Sequence, residues 1–490
     1  MSARTKQKKV DSSGVPEEIL AQRPYFHDLS SGAQRMLLAR FRQLSRPPQP
    51  ATRGAAASQA APPAAQLLGL SLGPHPGANV RVNDPAEDLP FGNRTTQSEP
   101  SIAVNRDIVV VGFNDSTLAP NYSGFAVSKN HGRVFKDKGN LVGQEFGDAV
   151  IATDGAGNFY YASLSTDAAG NSSVGVSKST DKGNSFNTPV NASTTANAPG
   201  SFQDKEWLTV DNSDSGTDGN LYLVWTKFGP GTQILFARST NSGSTFSAPL
   251  ALSGVGNVQG AMPGVGPDGA VYVTWLDRGA SQIHIRKSID AGVTFTNPVN
   301  GGGPVQPILQ IPGTLKGNIR ANSFPSIAVD PEEGAVYIVY AARVGADRAN
   351  VFLVTSKDGG KTWSAPVRVN DDSTNTDQWM PSVAVTDDDG VVGVMFYDRR
   401  NDPVNNLSID VYIAISTDGG ISFRPNQRIT TTSFPPVVNF DPVIAFNYMG
   451  DYNQMVANDQ RFYMVWGDNR DMVGARNDPN VYFAVFDAED

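Results

Sequence analysis

From about residue 80 onward, the apolar residues of this chain come in short runs broken by turn-forming residues, not at the spacing of an amphipathic helix. One run recurs: Pro100-Ser101-Ile102-Ala103-Val104, Ala149-Val150-Ile151-Ala152, Trp207-Leu208-Thr209-Val210 and Pro325-Ser326-Ile327-Ala328-Val329. It returns as Pro381-Ser382-Val383-Ala384-Val385 and Asn453-Gln454-Met455-Val456, with Met262-Pro263-Gly264-Val265 as a degenerate member. These are seven first strands. A turn follows, usually carrying Asp and Gly (Asp154-Gly155, Asp268-Gly269, Asp389-Gly390). Then comes a second strand ending in an aromatic, at Phe113, Tyr161, Trp225, Trp275, Tyr340, Tyr397 or Trp466.

A third strand leads into a repeated phrase, Ser-x-Asp-x-Gly-x-x-aromatic. Copies run from Ser179 to Phe186, Ser288 to Phe295, Ser356 to Trp363 and Ser416 to Phe423, and two more carry Asn130 and Asn241 in the Asp place. Asp or Asn can fold back onto nearby backbone N–H groups, Gly takes the positive φ that the turn needs, and the aromatic tucks beneath. The phrase is a hairpin tip that staples itself shut. A fourth strand leaves it, as in Ala365-Pro366-Val367-Arg368-Val369. Four antiparallel strands repeating every 50–70 residues or so (roughly) predict one propeller blade per unit.

The seventh unit stops at Val481-Tyr482-Phe483-Ala484-Val485, its third strand. The missing strand is expected at Val80-Arg81-Val82-Asn83-Asp84, which repeats the text of Val367-Arg368-Val369-Asn370-Asp371. Pairing it into the seventh blade closes the ring and removes two open edges. The fold class is therefore all-β: a seven-bladed propeller over residues 80–490, preceded by an arm over residues 1–79.

The arm differs in kind. Residues 1–60 carry ten Lys/Arg against four Asp/Glu, +6, which leaves about −15 of the net −9 to the rest. So acidic a ring is a poor partner for nucleic acid. Weak helical patterning runs from Pro16 to about Leu44: Ser30 or Ser31 could cap a turn, after which Met36, Leu37, Phe41 and Leu44 share a face edged by Arg35, Arg40 and Arg42. It reads either as a docking segment for a protein partner or membrane surface, or as a short helix lying on its own propeller. Residues 46–79 form a Pro/Ala/Gly linker. No apolar run reaches the roughly 18 residues of a membrane span, and the first ten residues lack a secretory signal. The expected location is cytoplasmic, or outside by a non-standard route. With no cysteine, neither disulfides nor thiolate metal sites are available.

Antiparallel blades put the staples and the first-to-second turns at one end. The acidic loop Asp211–Gly219 lies there too; Asp211, Asp214 and Asp218 are a weak calcium candidate, and a solvated turn is the other reading. The opposite mouth collects Glu99, Asp148, Asp204, Lys205, Glu206, Arg320, Trp379, Asp451 and Tyr452 before the first strands. After the second strands it collects Asp115, Lys227, Asp277, Arg278, Arg343, Asp398, Arg399, Arg400, Asp468 and Arg470. The phrase Trp275-Leu276-Asp277-Arg278 returns as Tyr397-Asp398-Arg399 and Trp466-Gly467-Asp468-Asn469-Arg470. Repeated around a ring, it reads equally well as an inter-blade ion pair.

The staples are those known as Asp boxes, or bacterial neuraminidase repeats, and the chain resembles the sialidase-like propeller superfamily, bacterial exo-sialidase-like proteins in particular. The resemblance implies a glycan or glycoconjugate partner, no cofactor, and an exo-sialidase-like hydrolase. It implies Arg320, Arg399 and Arg470 gripping a substrate carboxylate, a Tyr452 nucleophile activated by Glu206, and Asp148 or Asp398 as acid/base, beside Trp379 and Asp451. Two features depart from sialidases: there is no early Arg-Ile-Pro, since Gln310-Ile311-Pro312 lacks the Arg, and the blades number seven instead of six. The superfamily also holds lectins and assembly factors. A non-catalytic glycan- or protein-binding propeller, or a cargo protein addressed by its arm, is the alternative.

Overall fold

The computed structural model describes residues 26–30, 33–34, 36–38, 79–86, 95–117, 121–143, 145–197, 200–299, 305–345, 347–441, 444–445 and 447–489. Seven four-stranded antiparallel sheets form the ring. Their innermost strands, blades 1 to 7, are Gln97–Asn105, Val150–Thr153, Phe202–Val210, Val258–Val265, Ser326–Val329, Gln378–Val385 and Gln454–Asn458. Each touches its two neighbours around the axis. The ring closes as expected: Val80 pairs with Phe483 and Arg81 with Tyr482, so residues 80–81 are the fourth strand of blade 7.

The recurrent Pro-Ser phrase has a structural use that the sequence did not reveal. Ser101 Oγ accepts from the Ile151 N–H of blade 2 at 2.8 Å and donates to Gln454 Oε1 of blade 7 at 2.6 Å. Likewise Ser326 accepts from the Val383 N–H and Ser382 from the Met455 N–H, at 3.3 and 3.0 Å. Innermost strands of neighbouring blades cannot share a ladder, and a hydroxyl satisfies the amides left over. The second strands run past their aromatics instead of ending there. In blade 7 the hairpin Arg461–Val473/Arg476–Asp487 extends furthest. All seven of those aromatics are buried between blades.

The staples close as their chemistry requires. Ser416 Oγ donates to Asp418 Oδ1 at 2.8 Å and accepts from the Gly420 N–H at 2.9 Å, while Asp418 takes the Ser422 N–H and O–H at 2.9 and 2.6 Å. These donors hold the carboxyls of Asp290 and Asp418 down to about 2. Each tip also meets the preceding blade. Phe295 packs edge-on against Phe236, and Phe135 against Phe483 across the closure.

The arm supplies a turn at Phe26–Asp28 and helical residues at 33–34 and 36–38, and Ser30 Oγ accepts from the Ala33 N–H. Leu29, Ala33 and Met36 are buried against Phe146, Leu164, Phe202 and Phe228 of blades 2 and 3. This is the short helix lying on its own propeller. Arg35, Arg40, Phe41, Arg42 and Leu44 lie outside the described residues. Among the described residues no helix is long and apolar enough to cross a membrane.

Candidate functional site

A shared distortion aims side chains at the axis. In blades 1, 3, 4 and 6 the innermost strand carries a two-residue bulge: Glu99-Pro100, Lys205-Glu206, Gly260-Ala261 and Met380-Pro381. Its first residue is left-handed, with φ of 52°, 55°, 73° and 51°, and Asp148 of blade 2 has φ 57°. For a residue with a Cβ this conformation costs roughly 1–2 kcal/mol. Bulges of this kind re-aim a side chain that regular pairing would turn along the sheet.

The result is a charged cluster on the axis. Glu99 accepts from Asn114 Nδ2 at 2.6 Å, from the Asp451 N–H at 2.8 Å and from the Tyr448 hydroxyl. Asn114 also accepts the Asp148 N–H at 2.7 Å, tying blade 1 to blade 2, and Asp148 Oδ2 accepts the Lys205 N–H at 3.2 Å. The Lys205 ammonium sits 3.6 Å from the Tyr452 ring centroid and 5.0 Å from that of Trp207. The Tyr452 hydroxyl donates to the Ala149 carbonyl at 3.0 Å. Arg320 Nη2 pairs with Asp451 Oδ2 at 2.6 Å. Among the described residues neither oxygen of Glu206 accepts a hydrogen bond from another residue, and Asp148 Oδ1 accepts none.

Burial governs the electrostatics. It holds Glu99, Asp148 and Glu206 well above the usual carboxylate range, with neighbouring Asp148, Asp204 or Asp451 adding to the effect. Asp204 is pushed up to about 6 by burial, against the donors of Ser30. Burial pulls the Lys205 ammonium down against the attraction of Glu99 and Asp148. It also opposes the Arg320 charge, but Asp451 and its neighbours more than offset this. Lys205 and Tyr452 also line a pocket with Trp207, Met262, Phe324 and Met380.

The structure thus brings together Asp148, Glu206, Tyr452, Arg320 and Asp451 from the expected set, and leaves four apart. Asp398 is held by Arg400 at 2.7 Å, and Arg470 by Asp468 at 2.6 Å, each two residues away. Two copies of the repeated phrase thus hold an ion pair within one blade, Asp398–Arg400 and Asp468–Arg470, whereas in the copy at Trp275 Arg278 pairs with Asp28 of the arm at 3.0 Å. Arg399 is fully buried, pairs with Asp377 at 3.0 Å and stacks over Trp379, which is itself enclosed. Burial lowers the Arg399 guanidinium to about 10. No three-arginine grip forms from Arg320, Arg399 and Arg470. Arg320 does not lead into an innermost strand either; it ends a small hairpin, Thr314–Leu315 with Ile319–Arg320, that the sequence did not announce.

Asn114, Asn322 and Tyr448 went unnoticed in the sequence because nothing local marks them. Asp211 spends its oxygens on Ser213, Thr217 and Tyr222 within its own turn. Among the described residues no three of His, Asp and Glu are grouped so as to hold a metal ion.

No protein-family model matches the chain, and no curated protein matches it in sequence. Solved structures do match its fold. The chain is similar to an ulvan lyase of a new polysaccharide lyase family (TM-score 0.50, 12% identity, covering 80% of this chain and 94% of that one). It is also similar to the Hadza microbial sialidase Hz136 (0.45, 15%, 79% and 74%) and to an α-L-arabinanase of Penicillium chrysogenum (0.43, 12%, 85% and 99%). At such identities the likeness is one of fold.

Proposed function

We propose that this propeller hydrolyses glycans at its axial mouth with a pair of carboxyl groups. One observation carries the reading: Glu99, Asp148, Asp204, Glu206 and Asp451, from four blades, converge around Lys205 and Arg320 in environments that differ from one to the next. Glycoside hydrolysis needs one carboxyl that keeps its proton and one that gives it up. Glu206, buried and with no hydrogen-bond donor from another described residue, is the candidate acid. Asp204, with a pKa near 6 and two donors, is the candidate base. Arg320 is the group for an anionic substituent or an oxyanion. A tyrosine nucleophile of the sialidase kind is less well supported: the Tyr452 hydroxyl donates to a backbone carbonyl, and burial raises its phenol well above its usual range. Likeness of fold to a polysaccharide lyase carries no reaction with it, so the reading rests on these residues alone.

The second reading, a propeller that binds glycans without turnover, is favoured by Asp398 and Asp468, whose carboxylates are committed to Arg400 and Arg470. A panel of fluorogenic glycosides, sialosides and uronides included, separates the two. Hydrolysis reduced at least a hundredfold by Glu206→Gln and by Asp204→Asn, with Tyr452→Phe largely active, is the expected result. No turnover on any member, together with binding on a glycan array, would establish the binding reading instead.

A further inference from the structure

The mouth is occupied by the chain itself. Ser30 donates through its N–H and its hydroxyl to the two oxygens of Asp204, at 2.9 and 2.6 Å. The Leu29 carbonyl accepts from Arg320 Nη1 at 2.6 Å. The Asp28 carbonyl accepts from Gln259 Nε2 at 3.1 Å, and its carboxylate pairs with Arg278 at 3.0 Å. Three consecutive residues thus engage blades 3 and 4 and the Arg320 hairpin. Behind them Leu29, Ala33 and Met36, all 2% exposed or less, fill the apolar rim made by Phe146, Leu164, Phe202 and Phe228.

These contacts are not needed to build the ring, which Val80 and Arg81 close without them. They consume the groups that a glycan would use: hydroxyl donors go to Asp204, and an acceptor goes to Arg320. We propose that the rim of the mouth is a peptide-binding surface whose occupant is the chain's own arm, through Asp28, Leu29, Ser30, Ala33 and Met36, a plug that any glycan must displace. The competition rests on the assignment of this mouth as the glycan site; the docking itself does not. Being covalently joined to the ring, the plug competes at high effective concentration. A ligand opens the mouth only to the extent that it binds the unplugged state better than the plugged one.

The chain has no cysteine, so a single introduced thiol reports cleanly on the plug. In this 490-residue chain, Ala33→Cys should react with a thiol reagent at least a hundredfold more slowly than Val404→Cys, which lies on the surface. Adding Ser30→Ala or Leu29→Asp should speed the Ala33→Cys reaction tenfold or more. A thiol at Ala162, buried within blade 2, should stay unreactive in the same backgrounds. Met36→Cys provides a second reporter. The proposal is overturned if Ala33→Cys reacts as fast as Val404→Cys. It is also overturned if neither loosening substitution changes the rate, or if the Ala162 thiol becomes reactive in step. Any glycan that binds should accelerate Ala33→Cys labelling, and Ser30→Ala should tighten its binding by the factor seen in labelling; binding with labelling unchanged overturns the competition. Failure to find any ligand would count against the glycan reading while leaving the labelling result standing.

Discussion

The Arg320–Asp451 pair joins the hairpin before blade 5 to the approach of blade 7, and its energetics can be worked from the structure. The contact is 2.6 Å long; the Asp451 side chain is fully buried and the Arg320 side chain is 15% exposed. Asn322 Nδ2 adds a bond to the Asp451 carbonyl at 3.0 Å, and the Asp451 N–H is committed to Glu99. At an effective dielectric near 20, opposite charges about 4 Å apart attract by about 4 kcal/mol. Removing Arg320 alone leaves a buried carboxylate beside Glu99, which costs roughly 3–5 kcal/mol. Asp451→Asn should cost less, about 1–2 kcal/mol, because Arg320 keeps the Leu29 carbonyl and some contact with water. The double variant Arg320→Met/Asp451→Asn should therefore lose less than the two single losses added together, with a coupling of about 2–3 kcal/mol. Urea unfolding of the four proteins, followed by tryptophan fluorescence, measures the cycle. Because the pair is buried, the coupling should survive 0.5 M salt, where surface pairs fade. A coupling below about 0.5 kcal/mol would mean that the two charges do not depend on each other, and the account of the mouth would fall with it.

Three further outcomes follow from particular contacts. Gly420 has φ +80°, and a Cβ there would lie 2.3 Å from Leu353 Cδ2 of the preceding blade; Gly216 has open space. Gly420→Ala should cost about 2–4 kcal/mol and lower the urea midpoint, while Gly216→Ala should stay within about 0.5 kcal/mol. Glu145 accepts from the hydroxyls of Ser163 and Ser165, and burial raises its carboxyl from 4.5 to about 8. A raised acid contributes stability that is complete below its unfolded value and is lost as pH climbs through the folded one. The wild type should therefore lose up to about 5 kcal/mol through this group between about pH 4.5 and 8, and Glu145→Gln should flatten that slope. Parallel stability–pH curves for the two proteins would refute it. Ser382→Ala removes the acceptor for the Met455 N–H and should cost about 1–2 kcal/mol in thermal or urea unfolding, with no change if water replaces the hydroxyl.

The repeats were legible because their chemistry is local. Ser416, Asp418 and Gly420 satisfy one another within a few residues, so a staple can be recognised without knowing what surrounds it. Closure was legible too, since Val80-Arg81-Val82-Asn83 copies a strand whose place in its own blade was already known. The arm's helical face showed in its spacing, but not what that face would cover.

The site resisted for the opposite reason. Arg320, Arg399 and Arg470 are equivalent as text, and topology sends all three toward the same end of the ring. What separates them is distance along the chain: Arg470 finds Asp468 two residues back, Arg399 is closed in beside Asp377, and Arg320 meets Asp451 only when blade 7 comes round. Nor does the text announce the left-handed residues Glu99 and Lys205, which arise where a strand carries one residue more than its partner can pair, or Asp148, which stands just ahead of its strand. Turn chemistry and period, acting over a few residues, were enough to specify seven blades and a closed ring. Which charges share the axis, and that Ser30 covers Asp204 there, was decided by pairings between residues more than a hundred positions apart, whose energies exist only once burial has removed the water between them.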